Sequence, residues 1–299
     1  MQVIIKLSRG IVVGLVANMA SLKVGDAYPV RVVGVINVSP ESFYKGSIVT
    51  TREEIAAATS KMVEEGAEIL DVGAMSTAPY LQTEISVDEE KKRLTSAIKV
   101  IKEKVNVPVS ADTTRSIPAE AAIKAGADII NDVSGLKNDT RMARLVAEYD
   151  VPLIIVARDG TPQGRSPIQR VITALKQSLH IAEGAGISLD KIVVDPGIGF
   201  FRQTEYPWYI WDCSVIGNLQ KLRKFGRPIH VGVSRKSFIG KILVQENPEQ
   251  RLFGSLSAAA IAVFNGAHLV RTHDVKATVE VVRLAEYIKK SKQLKNEKF

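Results

Sequence analysis

The sequence predicts an α/β fold, a single (β/α)8 TIM barrel preceded by an N-terminal β-hairpin. Two observations lead there. Short apolar runs alternate with longer amphipathic stretches eight times, over about 260 residues, the span of one such barrel. Every one of those runs also stops on a polar side chain. Barrel strands end at a shared mouth, where active sites lie, so polar strand ends are expected there.

In order, the N-terminal "QVIIKLSRGIVVGLV" reads as two strands joined by a turn at Ser8, Arg9 and Gly10, a hairpin placed to close the barrel floor. "GIVVGLVANMA", preceded by Lys6 and Arg9, imitates a signal-peptide core, but it is too short to span a bilayer and reads better as part of that hairpin. The barrel strands are 31–37, 68–73, 107–112, 128–132, 152–157, 191–195, 228–234 and 268–272. The helices between and after them are 51–66 with Gly66 as its stop, 87–104, 117–126 with Pro118 in its first turn, 139–149, 168–186, 210–226, 251–266 and 274–290. The organisation is thus a hairpin over 1–30, a barrel over 31–290 and a basic tail over 291–299. No internal repeat shows beyond the alternation itself.

Composition narrows the function classes. With 299 residues, 45% of them hydrophobic and 24% charged, the chain is globular, and disorder over most of its length is excluded. Part of the formal charge of +8 sits in the Lys-rich tail, so a nucleic-acid partner is not indicated; the remaining excess favours small anions entering a basic cleft. No membrane partner is indicated either. The one cysteine, Cys213, can form no internal disulfide and has no His or Cys at ligand spacing, which fits a reducing cytoplasm. The Ala-rich apolar stretch 255–267 could face a second copy of the chain as well as the barrel, which hints at a homodimer.

The strand ends are Asn37, Asp71, Asp112, Asn131, Arg158, Asp195, the run Ser234-Arg235-Lys236, and Arg271 with His273. Acids and amides occupy one part of the rim and cations another. Asp112, Asp195 and Asn131 could pair with the amino and ring N–H groups of a guanine-like or pterin-like heterocycle. Lys236, Arg271 and His273 could hold a phosphate or pyrophosphate. Asn37 could bind a phosphate-associated Mg2+, which takes oxygen ligands and keeps several waters. Taken singly, Asp112 or Asp195 also reads as a strand-end cap, His273 as a surface histidine, and Asp71 as the partner of a neighbouring strand end. The glycines of "DPGIGF" suit a tight turn and match neither a dinucleotide fingerprint nor a P-loop.

Taken together, "GVINVSPESF", "ILDVGAMST", "SADT", "AGADIINDVSG", "DPGIGF", "VGVSRKSFIG" and "GSLSAAAIAVFNGAHLVRTHDV" resemble the successive signature segments of the dihydropteroate synthase family, in its order, across residues 33–275. The resemblance implies a cytoplasmic folate-pathway transferase that condenses 6-hydroxymethyl-7,8-dihydropterin pyrophosphate with para-aminobenzoate and releases pyrophosphate. It implies that Asp112, Asn131, Asp195 and Lys236 bind the pterin, with Lys236, Asp112 and Asp195 at the chemistry. It places Asn37, Arg271 and His273 on the pyrophosphate, Mg2+ at Asn37, and Thr77, Ser234 and Arg235 beside the arylamine. Carbon–oxygen cleavage leads and amine attack follows in that family, so the electrostatic task is to stabilise the departing pyrophosphate and a cationic pterin carbon.

Several loop positions depart from the family pattern. Glu41 and Lys45 stand where two aspartates are usual, and Met75, Ala78 and Tyr80 replace an acid, an arginine and a glycine. "VARDG" replaces a Met-His pair after the fifth strand, and Phe201-Arg202 replaces Gly-Lys after the sixth. The changes lie in loops that embrace the second substrate and the pyrophosphate, while the pterin positions are kept. The expectation is therefore a synthase whose amine is para-aminobenzoate or a larger, anionic arylamine met by Arg158, Arg202 or Lys45. The alternatives are a pterin-dependent methyltransferase acting with a corrinoid protein, and a non-catalytic pterin-binding barrel.

Overall fold

The computed structural model describes residues 3–7, 10–40, 44, 46, 48–75, 84–158, 166–202 and 204–291, with side chains from residue 14 onward. Of the positions singled out above, Ser8, Arg9, Glu41, Lys45, Thr77, Ala78, Tyr80 and the last two residues of "VARDG", and nearly all of the basic tail, lie outside them. Two antiparallel hairpins come first, β1 (Val3–Leu7) with β2 (Gly10–Gly14) and β3 (Val16–Met19) with β4 (Leu22–Gly25). An eight-stranded parallel sheet follows, in β5 (Arg31–Asn37), β6 (Ile69–Gly73), β7 (Val109–Asp112), β8 (Ile129–Asp132), β9 (Leu153–Val156), β10 (Ile192–Asp195), β11 (His230–Gly232) and β12 (Leu269–Thr272). The sheet curls round until its first and last strands meet at a bridge between Val194 and Ile229, supported by Val194 N–H donating to Pro228 O at 3.0 Å.

Along each strand, alternate residues face opposite sides, and the packing shows which. Val33, Ile69, Ile129, Ile154, Val193 and Leu269 form one interior cluster. Their strand neighbours Val32, Leu70, Ile130, Ile155, Val194 and Val270 pack outward against the helices. Two residues further along, four of these six inward positions turn polar: Asp71, Asn131, Asp195 and Arg271.

The first hairpin has the predicted pairing. The interior cluster, however, is completed from below by Ala17, Met19 and Val24, all fully buried and all from the second hairpin. The reading of the floor from residues 2–16 therefore missed its plug, because strands of four residues with a single buried face leave little periodicity to detect.

The helices are α1 (Arg52–Glu64), α2 (Val87–Lys104), α3 (Ser116–Lys124), α4 (Met142–Tyr149), α5 (Pro167–Gly184), α6 (Trp208–Gly217), α7 (Ser237–Leu243), α8 (Leu252–Phe264) and α9 (Val275–Ser291). Helix α1 starts on a capping box in which Thr51 accepts from Glu54 N–H and Glu54 reaches back to the Thr51 N–H. The stretch expected to be one helix over 210–226 breaks at Asn218 into α6 and a 3-10 segment, Leu219–Phe225. The short helix α7, directly after the seventh strand, was not anticipated. None of the described helices is long and apolar enough to cross a membrane.

Candidate active site

The parallel register gathers the strand ends. Asn37 stands opposite Gly73, Gly73 opposite Asp112, and Asp112 opposite Asn131. A Cβ on Gly73 would come within 3.6 Å of Asn37 Oδ1 and 3.8 Å of Asp112 Oδ2, so the missing side chain leaves these two polar groups facing across one gap. Asp71 lies one inward position deeper and is fully buried.

These acids are tied together by one cation. Arg271 Nε donates to Asp71 Oδ2 at 2.6 Å, its second terminal nitrogen reaches Asp112 Oδ2 at 3.1 Å, and Asn131 Nδ2 donates to Asp71 Oδ2 at 3.2 Å. Asp71 is therefore the partner of a strand-end cation, though of β12, two strands away, rather than of an adjacent strand, and Arg271 turns toward the acids. The other oxygens are left over: Asp71 Oδ1, Asp112 Oδ1 and Asn131 Oδ1 are buried with no hydrogen-bond partner among the described residues. Burial, and then the charge of Asp71, push the Asp112 carboxyl up to about 7 against the pull of Arg271.

On the opposite wall the segment Asp195–Phe200 is fixed by four contacts. Asp195 Oδ1 accepts from Gly197 N–H and Asp195 Oδ2 meets His230 Nδ1, both at 2.6 Å. Gly199 N–H donates to Asp212 Oδ1 at 2.9 Å, and Lys236 Nζ donates to the Ile198 carbonyl. Gly197 (φ +72°) and Gly199 (φ +84°) adopt the left-handed conformation that this tight path demands. Lys236 also lies 5.0 Å from the Phe200 ring centroid. Burial draws its ammonium down to about 8, although Asp195 and Asp212 oppose the shift. Asp212 is itself raised to about 6 by burial, and its second oxygen has no partner among the described residues.

The basic end holds His273, whose ring Nδ1 and backbone N–H both meet Ser234 Oγ, at 3.0 and 3.2 Å. Burial, then the charges of Arg271, Arg235 and Lys236, lower its pKa to about 3, so the imidazole is neutral near pH 7. Arg235 is tied down beside His273. Its guanidinium forks onto Asp274 at 2.6 and 2.9 Å and donates to the carbonyls of Pro248 and Glu249, while its plane lies 4.5 Å from the Tyr44 ring centroid. Arg158 and Arg202 bracket the Phe200–Phe201 turn, Arg158 5.5 Å from the Phe200 centroid and Arg202 bonded to Ser237 Oγ at 2.7 Å.

The structure thus brings together Asn37, Asp112, Asn131 and Arg271 on one side, and Asp195, Lys236, Ser234 and His273 on the other. Thr77 lies outside the described residues. His230 and Asp212 were not singled out in the sequence. His230 carried a signal, a titratable side chain at an inward position of an apolar strand; Asp212 carried none, because it sits on a helix distant in sequence from the loop it supports. At Asn37 the chain offers one neutral oxygen, and among the described residues no group of three or more His, Cys, Asp or Glu could hold a metal ion. That donor set suits a cation delivered on a phosphate, bound mainly by phosphate oxygens and water.

Residues 33–273 match the family described as pterin binding enzyme. The dihydropteroate synthase of Synechocystis is 33% identical over 262 residues, covering 85% of this chain and 89% of that protein. Among solved structures, the dihydropteroate synthase of Xanthomonas albilineans with 4-aminobenzoic acid superposes with a TM-score of 0.82 at 33% identity, covering 92% of this chain and 98% of the other. That of Coxiella burnetii in complex with pteroic acid gives 0.81 at 33% identity, covering 93% and 99%.

Proposed function

The chain belongs to the dihydropteroate synthase family of pterin-binding enzymes, and on that premise we propose how this transferase's own residues handle its two substrates. The supporting observation is a pair of buried acceptors at the mouth, Asp112 Oδ1 and Asn131 Oδ1, with no partner among the described residues. A buried acceptor without a donor costs about 1–3 kcal/mol. A 2-amino-4-oxo heterocycle presents an amino group and a ring N–H on one edge, and binding it removes that cost at both atoms. Asp195 offers a further carboxylate edge and Lys236 a cation for the ring's carbonyl or imine side. These four residues hold the pterin.

In the reaction the methylene C–O bond breaks, its electron pair leaves with the pyrophosphate, and the arylamine nitrogen forms the new C–N bond and releases a proton. The buried carboxylates of Asp112 and Asp195 stabilise positive charge on the pterin as that bond weakens. Asn37, Arg271 and the neutral His273 ring receive the pyrophosphate, which brings Mg2+ as part of the substrate with Asn37 as a protein oxygen ligand. Ser234, which already orients His273, Arg235 and Thr77 border the arylamine.

Arg158 and Arg202 favour a second reading of the amine alone. Two guanidinium groups at one turn suit an arylamine that carries an additional anion such as a phosphate. Pyrophosphate release is measured with purified protein, Mg2+ and dihydropterin pyrophosphate, once with para-aminobenzoate and once with a phosphoribosylated aminobenzene. Release with the plain acid supports the first reading, and release only with the phosphorylated amine supports the second. Release with neither overturns both.

A homodimer fits the far side of the barrel. Phe253 and Ile261 on α8, Val244 after α7 and Tyr287 on α9 expose from 52% to 89% of their surface on adjoining helices. Phe253→Glu then gives a monomer by light scattering where the unaltered chain gives a dimer.

A further inference from the structure

We infer that His230 is a positioning residue for pterin binding, which sets the orientation of the Asp195 carboxylate from beneath the site; the inference rests on the pterin role of Asp195 stated above. The bridge between Val194 and Ile229 that closes the barrel places the next residue of each strand, Asp195 and His230, side by side. Their side chains meet at 2.6 Å, Nδ1 against Oδ2, with both residues more than nine-tenths buried.

Packing gives no reason for an imidazole at this position. The inward cluster Val33, Ile69, Ile129, Ile154, Val193 and Leu269 is aliphatic, and an aliphatic side chain at 230 would extend it without burying polar atoms. His230 instead leaves Nε2 buried with no partner among the described residues, a cost that the bond to Asp195 offsets. The direction of that bond follows from the acid. An ionised carboxylate accepts only, so Nδ1 carries the proton and Nε2 is the bare nitrogen of the ring.

The consequence is a carboxylate fixed on both oxygens. Oδ1 is held by Gly197 N–H and Oδ2 by His230, each along one lone-pair direction. The remaining lone pair of each oxygen is then aimed in a set direction, ready for paired donors on the edge of a planar heterocycle. Without His230, Oδ2 can rotate toward the Lys236 ammonium, whose charge already acts on Asp195. A carboxylate closed onto that lysine no longer presents its edge.

The test compares His230→Leu with His230→Asn, which returns a donor near the Nδ1 position. Calorimetric binding of dihydropterin pyrophosphate is expected to weaken roughly 10- to 100-fold in the leucine variant, as for loss of a charge-assisted hydrogen bond. The asparagine variant is expected to recover most of that loss. In turnover assays the KM for the pterin substrate rises in His230→Leu while the KM for the arylamine stays unchanged. A folded leucine variant that binds the pterin as tightly as the unaltered protein overturns the inference, and so does an asparagine variant no better than leucine. Proton NMR supplies a readout independent of turnover: a downfield imidazole N–H resonance is expected, lost in both His230→Leu and Asp195→Asn, and its absence from the unaltered protein overturns the inference. Failure of the synthase reading has another signature, pterin binding that still responds to position 230 with no release of pyrophosphate.

Discussion

Arg271 sits 2.6 Å from Asp71 and holds the deepest acid of the barrel while the same guanidinium reaches the site carboxylate Asp112. Asp71 thus acts on Asp112 in two ways, by direct repulsion and by sharing its counter-ion. Burial is the larger cause of the raised Asp112 value, and the charge of Asp71 comes next. Asp71→Asn removes that second cause and frees Arg271 for Asp112. Pterin affinity measured from pH 5 to 9 is therefore expected to keep its alkaline limb, set by Lys236, in the variant while its acidic limb moves to lower pH. An acidic limb that stays in place separates Asp112 from the titration.

The pH profile of the unaltered enzyme follows from the same two walls. Asp112 must be ionised to accept from the pterin, and Lys236 must be protonated to donate to it. A free-enzyme kcat/KM for the pterin substrate is expected to rise through about 7 as Asp112 loses its proton, and to fall through about 8 as Lys236 loses its own. The signs are opposite because the acid works charged above its pKa and the amine charged below it. Lys236→Met is expected to abolish the descending limb and to lower kcat/KM by about 100-fold, the scale of one charged contact at a reacting centre. A profile flat from pH 6 to 9 removes both assignments.

Much of this was legible in the sequence, for a definite reason. Side-chain alternation in a parallel barrel turns the last polar residue of each buried run toward one mouth, so Asn37, Asp112, Asn131, Asp195 and Arg271 fall together from the order of residues alone. Partner choice was less visible. Arg271 reaches Asp71 and Asp112, two and three strands away, and Arg235 is committed to Asp274, because a strand-end cation takes whichever acid the curled sheet brings within reach rather than one its own register pairs with it. Contacts that cross the fold left least trace: Asp212 meets Gly199 from a helix, and Met19 plugs the floor from a hairpin of four-residue strands.

The floor also carries a pH-dependent stability element. Asp26, at the end of the second hairpin, accepts both terminal nitrogens of Arg223 at 2.7 and 2.8 Å, the Leu15 N–H at 2.7 Å, and meets His268 Nε2 at 3.1 Å. Burial alone raises its pKa, but the hydrogen bonds from His268 and Arg223 outweigh it and hold the acid below the usual carboxylate range. A depressed carboxyl contributes stability that is present above its unfolded value of about 4 and is lost as the pH falls below that. Asp26→Asn is expected to cost about 1–2 kcal/mol at pH 7, modest because Arg223 is partly exposed. The gap between variant and parent closes on acidification below pH ~4. Urea unfolding at pH 7 and pH 3 measures it, and an equal gap at both values rules the ion pair out as its source.

Gly197 tests whether the backbone of the Asp195–Phe200 segment, rather than its side chains alone, makes the site. Its φ of +72° is strained for any L side chain, and an added Cβ would lie 2.3 Å from the Ala157 carbonyl oxygen, a distance no real contact tolerates. The carbonyl belongs to the end of the neighbouring strand and is itself backbone, so the loop must move, and the Gly197 N–H that fixes Asp195 Oδ1 moves with it. Gly197→Ala is expected to lose about 1–3 kcal/mol of stability and at least about tenfold in pterin affinity. Gly184→Ala is the matched control: it ends α5, has nothing within 4 Å of its added Cβ, and is expected to change neither pterin affinity nor, by more than about 1 kcal/mol, stability. Were Gly197→Ala to lose stability yet bind pterin normally below its melting temperature, the carboxylate would be set by His230 alone and the glycine turn would serve only folding.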